Sequence, residues 1–231
     1  MHFPTPLIDA TLLRRYRRFL ADVQFPDNTT TTVHCANTGS MLSCSAPGSP
    51  VCLSRAENPA RRYPLTLEMV RVGAIWVGVN TSRTNGLVQE ALLAGKIAHF
   101  TQVDRVKREV RTAPHTRLDL QVECGGLTTF IEVKNCSLAI AGQAMFPDAV
   151  TVRGTKHLAE LTRLAESGLS AALFFLVQRM DAESFSPADH IDPGYGQALR
   201  RASAAGVTIL VYQAEVTPQG IEVVRPLPCD L

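Results

Sequence analysis

The sequence predicts an α/β (α+β) chain in two parts, a small N-terminal β-barrel followed by a mixed sheet flanked by helices. Two patterns support this prediction. Short β-branched segments separated by Gly/Pro turns fill residues 1–82, and helical patterns alternate with strand patterns in residues 83–231. The length of 231 residues and a hydrophobic content of 45% are enough for one large core or two smaller ones.

The first part contains five segments of strand-like composition, at residues 16–25, 29–36, 51–54, 63–72 and 74–79. Turn residues cluster between them, at 37–40 and 46–50. Short strands with Gly/Pro turns between them are typical of a small barrel. The polar segment 80–85 then predicts a boundary, so that the barrel occupies residues 1–82.

The second part mixes helices and strands. Helices are predicted from Asn85 to about residue 97, over 154–166, and from Asp192-Pro193 to Gly206. Strands are predicted at 106–112, in a hairpin around Gly125-Gly126, and at 173–178 and 207–213. The last strand, helix and strand form a β-α-β unit, which predicts a mixed sheet with helices on both faces.

Charge and cysteine content narrow the possible functions. The net charge is only +2, but the basic excess is N-terminal, because residues 1–80 carry eight Lys/Arg and five Asp/Glu. No apolar run approaches the roughly 18 residues that span a bilayer, and no secretory signal is visible. The six cysteines include no CxxC pair, so zinc ligation is disfavoured and reduced cytoplasmic thiols are expected.

The predicted hairpin contains the candidate catalytic residues. If Gly125-Gly126 is a two-residue turn, counting outward places Asp119 directly opposite Glu132. Alternation along the strand puts Glu132 and Lys134 on one face. Like charges directly opposite each other repel, and a divalent cation between the two carboxylates would relieve that repulsion. The alternative is an ordinary solvated hairpin face.

Two carboxylates and a lysine around one cation are suited to phosphodiester hydrolysis. We expect Mg²⁺ or Mn²⁺ between Asp119 and Glu132, since such ions take oxygen ligands and keep several waters. Lys134 would orient the attacking water or stabilise the developing charge. Glu90, on the first predicted helix, is a candidate further catalytic carboxylate; the alternative, which is the more common case for such a position, is a solvated helix residue.

Basic residues indicate a nucleic-acid partner. Arg14, Arg15, Arg17 and Arg18 surround Tyr16, a combination that can follow phosphates and stack on a base. The alternative is a charged strand edge that prevents aggregation. Lys156 opens the second helix, where an anion is favoured; a solvated helix start is the alternative for this position and for His157.

These residues lie within segments that resemble the sugar fermentation stimulation protein family. The matching segments, in chain order, are residues 15–23, 37–41, 79–81, 85–91, 117–119, 132–134, 146–158 and 191–195. The resemblance implies an N-terminal OB-fold followed by a restriction-endonuclease-like domain of the PD-(D/E)XK type. It implies that Asp119, Glu132 and Lys134 match the nuclease core and that Glu90 matches the acidic residue of its first helix.

Two hypotheses for function follow. In the first, the chain is a bacterial cytoplasmic DNA-binding protein with a metal-dependent nuclease site. In the second, it is a nonspecific DNA-binding regulator of sugar (maltose) metabolism whose nuclease site is inactive, as the family name implies a phenotype rather than a reaction. Neither hypothesis requires a membrane, and both leave the oligomeric state open.

Overall fold

The computed structural model describes residues 1–58, 60–113 and 116–231. It contains the two parts that the sequence predicts, a barrel followed by a mixed sheet between helices. None of the helices within these residues is long and apolar enough to cross a membrane.

The N-terminal part is a closed five-stranded barrel with an added hairpin strand. The sheet order is β3-β2-β1-β4-β5-β6, and β3 also pairs with β5, which closes the barrel. The predicted small barrel is therefore confirmed. Its strands are β1 (Ile8–Tyr16), β2 (Leu20–Gln24), β3 (Thr30–His34), β4 (Pro50–Arg55), β5 (Leu65–Val72) and β6 (Ile75–Gly78).

One strand of the barrel differs from its prediction. The sequence predicts one strand over residues 16–25 and none before it, whereas β1 covers Ile8–Tyr16 and β2 begins only at Leu20. The turn between them places Arg17 and Arg18 at φ 49° and 60°, a conformation that glycine or asparagine normally signals. Neither residue type is present there, so the turn has no recognisable sequence signal.

The second part is a six-stranded mixed sheet with the order β15-β14-β12-β9-β8-β7. Strand β12 runs parallel to both β9 and β14, and the other pairs are antiparallel. The β-α-β unit predicted at the end of the chain is confirmed. The strands are β7 (Val103–Ala113), β8 (Thr116–Cys124), β9 (Leu127–Cys136), β12 (Ser170–Val177), β14 (Thr208–Thr217) and β15 (Gly220–Pro226).

Helices cover both faces of this sheet. Helix α1 (Thr84–Leu93) packs on one face, and α2 (Val152–Glu166) and α3 (Pro193–Ala204) pack on the other. Along β12, Phe174 faces the α1 core and Phe175 faces the α2 and α3 core. A strand buried on both faces explains the continuous apolar run in its sequence.

Two helix starts differ from the sequence prediction. Asn85 does not cap α1, which begins at Thr84; Asn80 instead accepts a hydrogen bond from the Ser82 backbone at the start of a short 3₁₀ helix, Thr81–Arg83. Helix α2 begins at Val152, two residues before its predicted start, and the Thr151 hydroxyl caps it by accepting a hydrogen bond from the Gly154 N–H. The Thr151 cap thus precedes the predicted start of α2, and α1 follows directly from the 3₁₀ helix that Asn80 caps.

A small sheet that the sequence did not predict follows β9. Its strands are β10 (Leu138–Ile140), β11 (Gln143–Phe146) and β13 (Ser184–Pro187), in the order β10-β11-β13. The segment after β11 contacts the barrel: the Asp148 carboxylate accepts a hydrogen bond from the Met41 N–H at 2.9 Å. The Ser40 hydroxyl donates to the Asp148 carbonyl. This contact places a barrel loop beside the end of the large sheet.

Candidate functional site

The two carboxylates meet where β8 and β9 separate. The β8–β9 ladder runs from Cys124 opposite Leu127 to Leu120 opposite Ile131, as the glycine turn predicts. At the next position the backbone pairing ends, and the Asp119 carboxylate accepts the Val133 N–H at 2.8 Å. Asp119 and Glu132 therefore occupy the fork between the strands rather than a regular ladder position.

Asp119 is held from the helix side as well. The Asn85 side-chain amide, in the first turn of α1, donates to the second Asp119 oxygen at 2.8 Å. Burial raises the pKa of the Asp119 carboxyl, and the nearby Glu132 charge raises it further, against the two hydrogen bonds and Lys134. A carboxyl destabilised as an anion in this way favours a nearby cation.

Glu132 is almost completely buried, with a side chain 3% exposed. One of its oxygens, Oε1, accepts hydrogen bonds from Lys134 Nζ and from His157 Nδ1. Burial alone would raise the pKa of this carboxyl, but the His157 hydrogen bond and the Lys134 charge lower it overall. Glu132 is thus ionised, and Lys134 lies on its face of β9 as the strand alternation predicts.

The other Glu132 oxygen, Oε2, is buried and has no hydrogen-bond partner among the described residues. A buried anionic oxygen without a partner costs free energy, so native structures normally pair it. Both oxygens of the adjacent Asp119 already accept hydrogen bonds, one from the Asn85 amide and one from the Val133 N–H. The residues present therefore fit a divalent cation, bound by Asp119 and Glu132 with water completing its oxygen shell.

No group of three or more His, Cys, Asp or Glu side chains in the described parts of the chain is arranged to hold a metal ion. Glu90 in particular is elsewhere. It is 57% exposed and forms an ion pair with the Met1 amino group at 2.7 Å, beside β15. The structure therefore does not bring Glu90 to Asp119 and Glu132, because it lies on a different side of α1 from Asn85.

The carboxylates open into a cavity of about 530 Å³ between the barrel and the large sheet. The floor includes Asp119, Glu132 and Lys134, and the wall opposite includes Arg18 and the barrel turn 37–39. Asp148, which binds that turn's neighbours Ser40 and Met41, closes one side. The site is therefore built by both parts of the chain.

The side chains of the Arg14–Arg18 segment make different kinds of contact. The Arg14 guanidinium pairs with Asp22 at 2.8 Å and lies over the Tyr16 ring, whose hydroxyl also donates to Asp22. Arg15 donates to the carbonyls of Asn37 and Gly39 at 2.7 Å each, to Arg18 at 3.0 Å and to Ser40 at 3.2 Å.

The contacts of Arg15 do not agree with its predicted nucleic-acid role, because its donors hold the barrel turn in place. Arg17 and Arg18 are exposed in the β1–β2 turn and form no ion pair among the described residues. Arg18 alone of this segment lines the cavity. Lys156 is exposed on the first turn of α2, close to Asp119.

Two residues of the site were not selected from the sequence. Asn85 was assigned to a helix cap, and His157 was treated as a solvated residue. A signal for His157 is present: it lies on the apolar stripe of α2 with Leu161 and Leu164, spaced at i, i+4 and i+7. A histidine on such a stripe is buried, and here it contacts Glu132.

Comparisons with known proteins agree along the whole chain. The profile described as the sugar fermentation stimulation protein RE domain matches residues 82–220, and that of the SfsA N-terminal OB domain matches residues 13–79. A sugar fermentation stimulation protein homolog of Desulfotalea psychrophila is 51% identical over 97% of this chain and 95% of its own length. The homolog of Pelobacter propionicus is 50% identical over 98% of each chain.

A solved structure has the same fold. The structure of Pyrococcus furiosus SfsA in complex with Ca²⁺ matches with a TM-score of 0.92, over 100% of this chain and 98% of that chain. The sequence identity is 24%, so this likeness concerns the fold. It confirms the predicted arrangement of an OB-like barrel followed by a sheet flanked by helices.

Proposed function

The chain belongs to the sugar fermentation stimulation protein family, and from that membership and the site geometry we propose that it is a metal-dependent nuclease. It hydrolyses phosphodiester bonds of DNA with a divalent cation held by Asp119 and Glu132. In this proposal residues 1–82 form a DNA-binding barrel, residues 83–231 form the PD-(D/E)XK nuclease-like domain, and the protein acts nonspecifically in the bacterial cytoplasm.

The observation that carries the proposal is the unpartnered Glu132 Oε2 beside Asp119. A cation at this position would satisfy Oε2 and reduce the repulsion that raises the Asp119 pKa. The Ca²⁺ complex of the Pyrococcus furiosus protein supports the use of a divalent ion. Mg²⁺ or Mn²⁺ is proposed for catalysis because both favour carboxylate and water oxygens.

The residues divide the chemistry as follows. Asp119 and Glu132 bind the cation, Asn85 and the Val133 N–H orient Asp119, and His157 orients Glu132. Lys134 lies within hydrogen-bond distance of Glu132 and lines the same cavity, where its ammonium can hold an attacking water or stabilise charge on the phosphate. The cation, when bound, activates water and offsets phosphate charge.

A second candidate function is DNA binding without cleavage, as in a regulator of sugar metabolism. One observation favours it: Glu132 is already neutralised on one oxygen by Lys134 and His157. In that case Lys134 and His157 take the place of the metal ion, and the site is a structural hydrogen-bonded cluster.

A cleavage assay separates these candidates. Purified protein is incubated with single-stranded, duplex and branched DNA and with RNA, with Mg²⁺, with Mn²⁺ and with EDTA. We expect cleavage only with added metal, and a loss of at least 100-fold in Asp119→Ala and Lys134→Ala. DNA binding without cleavage of any of these substrates would support the regulator and refute the nuclease.

Calorimetric titration with Mn²⁺ provides a second measurement that does not depend on substrate choice. Wild-type protein should bind one ion, and Glu132→Gln should bind at least tenfold more weakly because the proposed ligand loses its charge. Equal affinity in both proteins would show that the ion does not use Glu132.

A further inference from the structure

A second groove of about 500 Å³ adjoins the site cavity. The two share Asp119, Arg153 and His157, so they meet at the carboxylates. Four cationic side chains line the second groove: Arg111, Arg117, Arg153 and Lys156.

The four cations are exposed, and none of them forms an ion pair with any described residue. Other arginines of the same domain are neutralised, as Arg163 is by Glu160 and Arg200 by Asp189. Glu109 is the acidic residue that lines the groove apart from Asp119. The groove therefore carries an excess of positive charge in a chain whose second part is close to neutral.

The placement of these cations is unfavourable for the protein alone. Arg111 lies directly opposite Arg117 in the β7–β8 ladder, where like charges repel. Arg153 and Lys156 are three residues apart near the N-terminus of α2, where they repel each other and lie close to the positive end of the helix dipole. A chain of phosphates along the groove would relieve both repulsions.

The dimensions of the two grooves limit what can reach the carboxylates. Each has the volume of a small-molecule pocket, which is enough for one or two nucleotides. The wall opposite Asp119 is fixed, because the barrel segment 40–41 is hydrogen-bonded to Asp148. A flexible single strand can follow this path, and a stiff double helix cannot.

We infer that Arg111, Arg117, Arg153 and Lys156 bind the backbone of single-stranded nucleic acid and lead one phosphate to Asp119 and Glu132. The inference rests on the proposed function for the identity of the site, and adds the substrate class and the residues that hold it. It places the main phosphate contacts on the nuclease-like domain, where the sequence indicated Lys156 alone; the other residues that it indicated belong to the Arg14–Arg18 segment of the barrel.

The test is a binding measurement without cleavage. Fluorescence anisotropy of labelled oligo(dT), oligo(U) and a hairpin duplex is recorded in EDTA over a series of salt concentrations. The test variant is Arg111→Ala with Arg117→Ala. The control is Arg105→Ala, an exposed arginine on the same strand that lies about 20 Å from Arg111 at the usual rise per residue.

We expect the double variant to bind oligo(dT) at least tenfold more weakly and to lower the log–log salt slope by about 1.4, corresponding to two lost phosphate contacts on a single strand. Arg105→Ala should retain the wild-type affinity and slope. The oligo(U) arm shows whether the groove accepts both DNA and RNA, and weaker binding of the hairpin duplex supports the single-strand assignment.

An unchanged slope in the double variant would overturn the inference, as would duplex binding tighter than binding of the single strands. Circular dichroism confirms that the double variant is folded, and because it removes two arginines that repel each other, its melting temperature should not fall. The binding assay contains no metal, so its result does not depend on cleavage. Binding in this groove, together with no cleavage in the separate assay with Mg²⁺ or Mn²⁺, would refute the proposed nuclease without refuting the groove.

Discussion

At the residue scale, the site depends on two carboxyl groups, Asp119 and Glu132, whose surroundings shift their pKa values in opposite directions. Burial and the Glu132 charge raise the pKa of Asp119. Burial would also raise the pKa of Glu132, but His157 and Lys134 outweigh it and lower that pKa. The two residues therefore contribute to stability with opposite dependence on pH.

This difference predicts opposite trends for two amide variants in EDTA. A carboxyl with a raised pKa stabilises the fold at low pH and loses that contribution as the pH rises, so Asp119→Asn should gain stability relative to wild type between about pH 3 and pH 7. Glu132→Gln should lose stability relative to wild type over the same range, because the lowered pKa stabilises the fold at higher pH. Thermal melts at successive pH values measure both trends.

Added metal supplies the control for these melts. At 100 times its dissociation constant, an ion that binds only the folded state stabilises it by about 2.7 kcal/mol. Wild type should show that gain at pH 7 and Asp119→Asn should not. Parallel trends of the two variants with pH would contradict the opposite roles assigned to the two carboxyls.

Glu90 gives a second prediction at this scale. Its ion pair with the Met1 amino group places it beside β15 rather than at the cavity. Glu90→Gln should therefore keep cleavage within a factor of two of wild type, and lower stability by no more than about 1 kcal/mol because the pair is exposed. Cleavage assays compare Glu90→Gln with Glu132→Gln. An equal loss of cleavage activity in both variants would show that Glu90 contributes to the catalytic site.

At the scale of elements, the sequence was most informative where local geometry decides the structure. The glycine pair at 125–126 determines a two-residue turn, and the turn determines the register that brings Asp119 to Glu132. Counting outward cannot show that the strands separate at Asp119, since that depends on Asn85 and Val133 holding its carboxylate.

Arg15 illustrates what a charge pattern cannot show. In the sequence it is one of four arginines near Tyr16, but the fold surrounds its guanidinium with four carbonyl oxygens. Three of those carbonyls, at residues 37, 39 and 40, are remote in sequence, so no local pattern identifies the contact. The groove cations Arg111 and Arg117 were missed for the same reason, because strand pairing brings them together.

The barrel turn gives the prediction for this scale. Arg15→Ala should lower the free energy of unfolding by about 1–3 kcal/mol, because hydrogen bonds from a charged donor to the carbonyls of residues 37, 39 and 40 are lost. Arg17→Ala removes the same charge from an exposed position and should change stability by less than about 0.5 kcal/mol. Urea titrations of the two variants measure these changes. An equal change in the free energy of unfolding would show that the hydrogen bonds of Arg15 do not stabilise the barrel turn.

At the scale of the whole molecule, the barrel and the second part share a core. Cys52 and Met69 of the barrel belong to the same buried cluster as Leu87 and Leu92 of α1. The Gly78 N–H donates to the Gln178 carbonyl at 2.9 Å. Because apolar contacts continue across the boundary, each part would expose apolar side chains there without the other. The two parts are therefore held together, and the cavity between them keeps a fixed shape.

A buried ion pair crosses the same boundary. Glu68 of β5 is completely buried and accepts two hydrogen bonds from Arg83, each 2.6 Å long, just before α1 begins. Asn80 and Ser54 also donate to Glu68. Removing one member of such a pair leaves the other charge buried without compensation.

The shared core and the ion pair predict that the chain unfolds as one cooperative unit. The single tryptophan, Trp76, reports on the barrel, and circular dichroism at 222 nm reports mainly on the three α-helices of the second part. In urea both signals should give the same midpoint. Arg83→Met should shift both midpoints together, by about 3 kcal/mol in unfolding free energy, because Glu68 loses its partner.

Arg55→Ala is the control for that shift, since Arg55 is exposed on β4 and forms no ion pair among the described residues. It should leave both midpoints within about 0.5 kcal/mol of wild type. If the fluorescence and dichroism transitions separate, the barrel and the sheet domain are independent units. The cavity wall at residues 37–39 would then move relative to Asp119, and the argument that only a single strand can reach the carboxylates would fail with it.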